Sequence, residues 1–203
     1  MNDNRRGNWF QTRSGGLFWP LDPRPEDVKI TDIASHLSKL CRFNGACKDF
    51  YSVAQHSVIV SYVVPKDYAL EGLLHDASDA YIGTGCASWR STPRRSVELH
   101  LERVIAQRFD LRFPFPCEIK EADNVLLMTE RRDLMGRPPQ PWTERATPLD
   151  ETITPLPPEE AEAQFLARFG AIWRNRRRRG GLDRGSDLRC EACSQQATDN
   201  VSS

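Results

Sequence analysis

Apolar residues recur at helical spacing along most of the chain, and several of the faces they define carry ionisable side chains. The period demands helices packed face to face. A charged group on an apolar face demands a partner, because burying it alone costs several kcal/mol. Ile33, Leu37, Leu40 and Cys41 share one face after a Thr31/Asp32 cap. Ser52-Val53-Ala54-Gln55 has capping-box form, and Val53, Ser57, Val60 and Val64 continue the next face. A third helix is expected from about Asp67 to Tyr81, with Leu70, Leu73, Leu74, Ala77 and Tyr81 inward. A fourth, near Arg95 to Phe109, turns Val97, Leu101, Val104 and Ile105 to the core. Pro116 starts a fifth, with Ile119, Ala122, Leu126 and Glu130 on one stripe. A last helix opens at Pro158-Glu159-Glu160 and buries Phe165, Leu166, Phe169 and Trp173. The fold class is therefore all-α, a single orthogonal-type bundle.

What flanks the bundle differs in composition. Residues 1–30 hold Trp9-Phe10, Gly15-Gly16, Phe18-Trp19-Pro20 and Asp22-Pro23-Arg24-Pro25, which predicts an irregular arm, with a short strand or two, packed by its aromatics. Residues 31–173 form the domain, with a long proline-rich loop from Gly136 to Pro158. From Arg174 an arginine cluster passes into a polar stretch without aromatics, so 174–203 reads as a disordered tail. The cluster suits the negative end of a helix dipole. With no interleaved aromatics for base stacking, nucleic acid is not an expected partner.

The chain has 203 residues, and its 28 Lys+Arg balance 28 Asp+Glu, so no global charge draws it to nucleic acid or anionic lipid. No apolar run reaches the roughly 18 residues of a membrane span. The start, Met1-Asn2-Asp3-Asn4-Arg5-Arg6, lacks a signal core, so a protein neither exported nor membrane-inserted is expected. A disulfide framework is then not expected of the six cysteines. Cys41, Cys47, Cys86 and Cys117 read as small buried hydrophobes, and Cys190-Glu191-Ala192-Cys193 lacks a second ligand pair for zinc.

The polar residues on apolar faces carry the functional signal. His56 lies in the stripe of the second helix beside Val53 and Val60, and Asp123 in that of the fifth between Ile119 and Leu126. His75-Asp76 ends the apolar run from Leu70 to Leu74. Each alone reads as a separately satisfied core residue. Together, two imidazoles and two carboxylates suit one first-row divalent ion, Mn, Fe, Co, Ni or Zn, whose charge offsets the buried acids. Asp79, four residues after His75, shares its helical face and offers a base or acid beside such an ion.

The pattern His56, His75-Asp76, Asp123 resembles the HD-domain metal-dependent phosphohydrolases. The surroundings match as well: Phe50-Tyr51-Ser52-Val53-Ala54-Gln55-His56-Ser57-Val58, Leu73-Leu74-His75-Asp76-Ala77-Ser78-Asp79-Ala80-Tyr81-Ile82-Gly83 and Glu121-Ala122-Asp123. The resemblance runs from about Trp9 to Trp173 and is nearest the bacterial and phage branch of 5'-deoxynucleotidases and dATP triphosphohydrolases. It implies an enzyme that hydrolyses phosphate esters or anhydrides of a small deoxynucleotide. It places the protein in bacterial cytoplasm, or host cytoplasm if phage-encoded, and allows a homo-oligomer. It also allows a second divalent ion carried in by the substrate phosphates.

By the same resemblance, Arg42 and Phe43 hold phosphate and nucleoside, and Arg90 stands where relatives place a phosphate-binding Lys. Arg42 and Arg90 are thus expected beside Asp79 in catalysis. Lys120, three residues before Asp123, reaches phosphate or screens that carboxylate. Two departures bear on rate and substrate. The usual Glu is Asp79, one methylene shorter, and an expected Asp after Gly83 is Thr84, which orients but cannot act as a base near neutral pH. The phage-like arm favours a dNTP substrate, with a dNMP as the alternative. A degenerate domain that senses nucleotide is a third reading, motivated by Asp79 and Thr84.

Overall fold

The computed structural model describes residues 4–84 and 93–178, and the described chain is mostly helical. Among the described residues, seven α-helices follow a two-stranded hairpin: α1 Ile30–Lys39, α2 Val53–Val63, α3 Ala69–Leu74, α4 Asp79–Ile82, α5 Pro93–Phe109, α6 Cys117–Leu134 and α7 Pro158–Arg178. α2 is the centre. Val53 through Val58, with Val60 and Ser61, are all buried, so it has almost no solvent face and packs against α1, α3, α6 and α7. Its start is fixed as expected, since the Ser52 side chain accepts from the Gln55 amide at 3.1 Å. The Gln55 side chain does not reach back to complete a capping box. It donates to Thr154 O at 2.8 Å and accepts from Leu156 N at 2.9 Å, pinning the long loop before α7. A second cluster, Val60 and Val64 against Ile119, Ala122 and Leu126, lays α6 along α2.

The arm is a hairpin, β1 Phe10–Gln11 and β2 Leu17–Phe18, with Phe10 opposite Phe18. Phe18 is fully buried and stacks on Tyr81 with ring centroids 4.0 Å apart, so the arm belongs to the core. Asp32, expected to cap α1, does something else. α1 begins two residues earlier without a side-chain cap, and the buried Asp32 accepts from Ser14 N at 2.7 Å and Ser14 Oγ at 2.9 Å, bracing the hairpin turn.

Other expectations change. The single helix from Asp67 to Tyr81 is instead a 3-10 turn, α3 and α4, with 75–78 tightened between them. Amides there reach three residues back: Ala77 to Leu74, Asp79 to Asp76, Tyr81 to Ser78. The His75 ring meets the Gly72 carbonyl at 2.8 Å, an acceptor that a continuing α-helix would give to the Asp76 amide. α3 also approaches α2 closely: a Cβ on Gly72 would lie 2.9 Å from Val64 Cγ2. α7 continues through Arg178, so Arg174 to Arg178 are helical where the tail was expected to begin, and the remainder of that tail lies outside the described residues. Cys41, Cys47 and Cys117, expected as small buried hydrophobes, are only half-buried, and Cys86 lies outside the described residues. No helix among the described residues is long and apolar enough to cross a membrane.

Candidate metal centre

Four backbone segments meet beside the middle of α2. α2 supplies His56, which is wholly buried. The end of α3 supplies His75, and the tightened turn after it supplies Asp76. α6, held along α2 by Leu126 and Ala122, supplies Asp123. The four expected ligands converge. His56 Nε2 lies 3.3 Å from His75 Nε2, 3.4 Å from Asp123 Oδ1 and 3.5 Å from Asp76 Oδ2. His75 Nε2 lies 3.4 Å from Asp76 Oδ1. Donors about 2.0–2.1 Å from a tetrahedral first-row ion stand about 3.3–3.4 Å from one another. The spacing of His56, His75 and Asp123 therefore fits one shared cation, each offering a ligand atom within 4.8 Å of the others, whereas Asp76 turns a different oxygen to each imidazole and stands outside that group of three.

Each imidazole presents Nε2 because Nδ1 is occupied. His75 Nδ1 faces Gly72 O at 2.8 Å, and His56 Nδ1 faces Glu130 Oε1 at 2.6 Å. Arg42, in the turn after α1, places NH1 3.3 Å from Asp76 Oδ2, and NH2 3.1 Å from Glu130 Oε2 and 3.9 Å from Asp123 Oδ1. Charge then sets protonation. Burial and the Arg42 charge oppose a proton on His56, but Glu130 and Asp123 outweigh them and push it up to about 9. Burial disfavours charge on Asp123, yet the hydrogen bond and charge of His56, with His75 and Lys120, hold it far below the usual carboxylate range. Glu130 is likewise lowered against its burial by His56 and Arg42. Asp79 moves the other way, up to about 8, through burial and the charges of Asp76 and Glu98.

The remaining expected residues divide. Asp79 opens α4 with its amide on Asp76 O at 3.0 Å, within electrostatic reach of Asp76 and Arg42. Lys120 pairs with Asp123 at 2.8 Å, so it screens that acid. Thr84 Oγ1 donates to Asn44 Oδ1 at 2.7 Å, joining the α4 exit to the turn that carries Arg42. Phe43 in that turn has φ 53° and its ring centre 6.3 Å from Trp142. Arg90 lies outside the described residues. Glu130 is the site residue that the sequence reading passed over. It lies on the inward stripe of α6, where a carboxylate is the same anomaly as Asp123.

No protein-family model matches the chain. It is 35% identical over 170 residues to the uncharacterized protein YfdR of Escherichia coli, a match spanning 81% of this chain and 96% of YfdR. It is 30% identical over 193 residues to the uncharacterized protein RCAP_rcc00048 of Rhodobacter capsulatus, spanning 82% of this chain and 96% of that one.

Proposed function

The chain belongs to the family of YfdR, and we propose that it is a metal-dependent phosphohydrolase of HD-domain type acting on deoxynucleotides, with a dNTP as first substrate. The observation that carries this reading is that His56 Nε2 lies 3.3–3.5 Å from donors of His75, Asp123 and Asp76, with the Arg42 guanidinium against Asp76. A Mn, Fe, Co, Ni or Zn ion held there would polarise a phosphate oxygen and acidify water.

The chain's own groups do the rest. Arg42 is anchored by Glu130 and presents a planar fork suited to phosphate oxygens. Asp79, pushed up to about 8, is poised to exchange a proton near neutral pH. Its carboxylate takes the proton of the attacking water as the new oxygen–phosphorus bond forms. It returns that proton to the departing oxygen as the old bond breaks. The Thr84–Asn44 bond holds the Arg42 turn against the α4 exit, and Phe43 offers an aromatic face for the nucleoside. A dNMP substrate is favoured by one observation: among the described residues, the cations bonded to the centre's acids are Arg42 and Lys120, few for a triphosphate.

The test is to load the protein with Mn²⁺ or Co²⁺, incubate it separately with each dNTP and dNMP, and identify the phosphate product. Triphosphate release supports the first reading, and phosphate from a dNMP the second. Both products should vanish in His75→Ala. No product from the whole panel would refute the enzyme, and nucleotide-dependent thermal stabilisation without turnover would then establish the sensor reading.

A further inference from the structure

Glu130 is fully buried, sits on α6 seven residues after Asp123, and turns its two oxygens to two different partners, with the buried Tyr51 hydroxyl also beside it. Oε1 lies 2.6 Å from His56 Nδ1, and Oε2 lies 3.1 Å from Arg42 NH2. We propose that Glu130 is a positioning residue that fixes the metal-binding His56 with one oxygen and the phosphate-holding Arg42 with the other, so that metal affinity and phosphate affinity depend on the same carboxylate. The Arg42 half rests on the phosphohydrolase reading, whereas the His56 half rests on the metal centre alone.

The first half follows from imidazole chemistry. A carboxylate against Nδ1 accepts a hydrogen bond from that nitrogen, so Nε2 is the nitrogen left to face His75, Asp76 and Asp123 and to serve a metal once its own proton is expelled. His75 receives the same tautomer from a neutral carbonyl, Gly72 O. A carboxylate makes the better acceptor, raises the basicity of the ring and holds its plane, an arrangement whose loss typically weakens metal binding about 10–100-fold. The second half follows from competition for one guanidinium. Arg42 NH2 is 3.1 Å from Glu130 but 3.9 Å from Asp123. Glu130 therefore draws the guanidinium away from Asp123 and keeps that acid available as a ligand. Without Glu130, Arg42 would settle on Asp76 and Asp123 and compete with the cation for both.

Glu130→Gln tests both halves at nearly constant shape. The amide has one acceptor oxygen, so it can serve His56 or Arg42 but not both, and its NH₂ faces the other donor. Co²⁺ is the probe, followed by its visible absorption and by chelator competition, and inorganic phosphate is then titrated into the Co²⁺-loaded protein. The expected result is Co²⁺ affinity 10–100-fold weaker, an altered Co²⁺ spectrum and several-fold weaker phosphate binding, with partial recovery of all three in Glu130→Asp. A folded Glu130→Gln that binds Co²⁺ within twofold of wild type overturns the proposal. Weakened Co²⁺ with unchanged phosphate affinity overturns the coupling. Should the variant not fold, nitrogen-15 spectra of the Zn²⁺-loaded wild type decide. A His56 Nδ1 proton shifted far downfield supports the proposal, and a proton on Nε2 overturns it. Absence of deoxynucleotide turnover would sink the phosphohydrolase reading and leave the Co²⁺ and nitrogen-15 results standing.

Discussion

Raising the pH should tighten metal binding far more than ordinary histidine ligands would allow. His56 is held protonated up to about 9 by Glu130 and Asp123, although burial and Arg42 oppose it. A ligand nitrogen must be free of its proton, so the incoming ion has to expel it. For a group titrating at about 9, apparent affinity should fall about 80-fold between pH 8.5 and 6.5, roughly 2.6 kcal/mol, whereas an unperturbed histidine at about 6.5 would give only about twofold. The fold should respond in the opposite sense. A histidine whose pKa is raised on folding stabilises the fold fully below about 6.5, and that contribution is lost as the pH climbs through about 9. Protein stripped of metal should therefore melt progressively lower from pH 6.5 to 9, while the increment gained on adding Co²⁺ grows. Chelator competition across that range, with thermal melts on both forms, measures each slope. A change in Co²⁺ affinity smaller than about fivefold would refute the assignment of that proton to His56 as a ligand.

Three substitutions test the scaffold and the chemistry separately. Gly72→Ala puts a Cβ 2.9 Å from Val64 Cγ2 and 3.3 Å from Ser61 Cα. Forcing α3 off α2 should cost about 1–3 kcal/mol in urea denaturation and weaken Co²⁺ binding, because the Gly72 carbonyl orients His75, and an unshifted midpoint would show that Val64 yields freely. Ser52→Ala removes the cap on the Gln55 amide and should cost about 1 kcal/mol by the same assay. Asp79→Asn removes the proton acceptor and not an expected ligand. Turnover should drop about 10²–10⁴-fold with Co²⁺ affinity little changed, and an undiminished rate would take Asp79 out of the mechanism.

The helices were legible because burial imposes a period, and the ligands because an ionisable group on an apolar stripe contradicts that period. His56, His75, Asp76 and Asp123 all announced themselves in this way, and His56, His75 and Asp123 gather closely enough to share one ion. The break after Leu74 was not legible. A tightened turn changes which carbonyl each amide uses but leaves the outward pattern of residues nearly intact, so spacing alone cannot separate a 3-10 turn from another turn of α-helix. Asp32 misled for a related reason. An acid near a helix start reads as a cap, and only the packed hairpin reveals Ser14 as the better donor for it.

Glu130 shows where stripe logic stops. In the sequence it sits on the same face as Asp123, two helical turns on, and both are acids that burial should penalise. What separates them is a third element. The turn after α1 delivers Arg42 between the two carboxylates, 3.1 Å from one and 3.9 Å from the other. A guanidinium so placed is bonded to the nearer acid, while the farther one is paired on one oxygen with Lys120 and turns the other to His56. Which acid is anchor and which is ligand follows from the imidazole nitrogen it meets: Glu130 lies against His56 Nδ1 and Asp123 against Nε2.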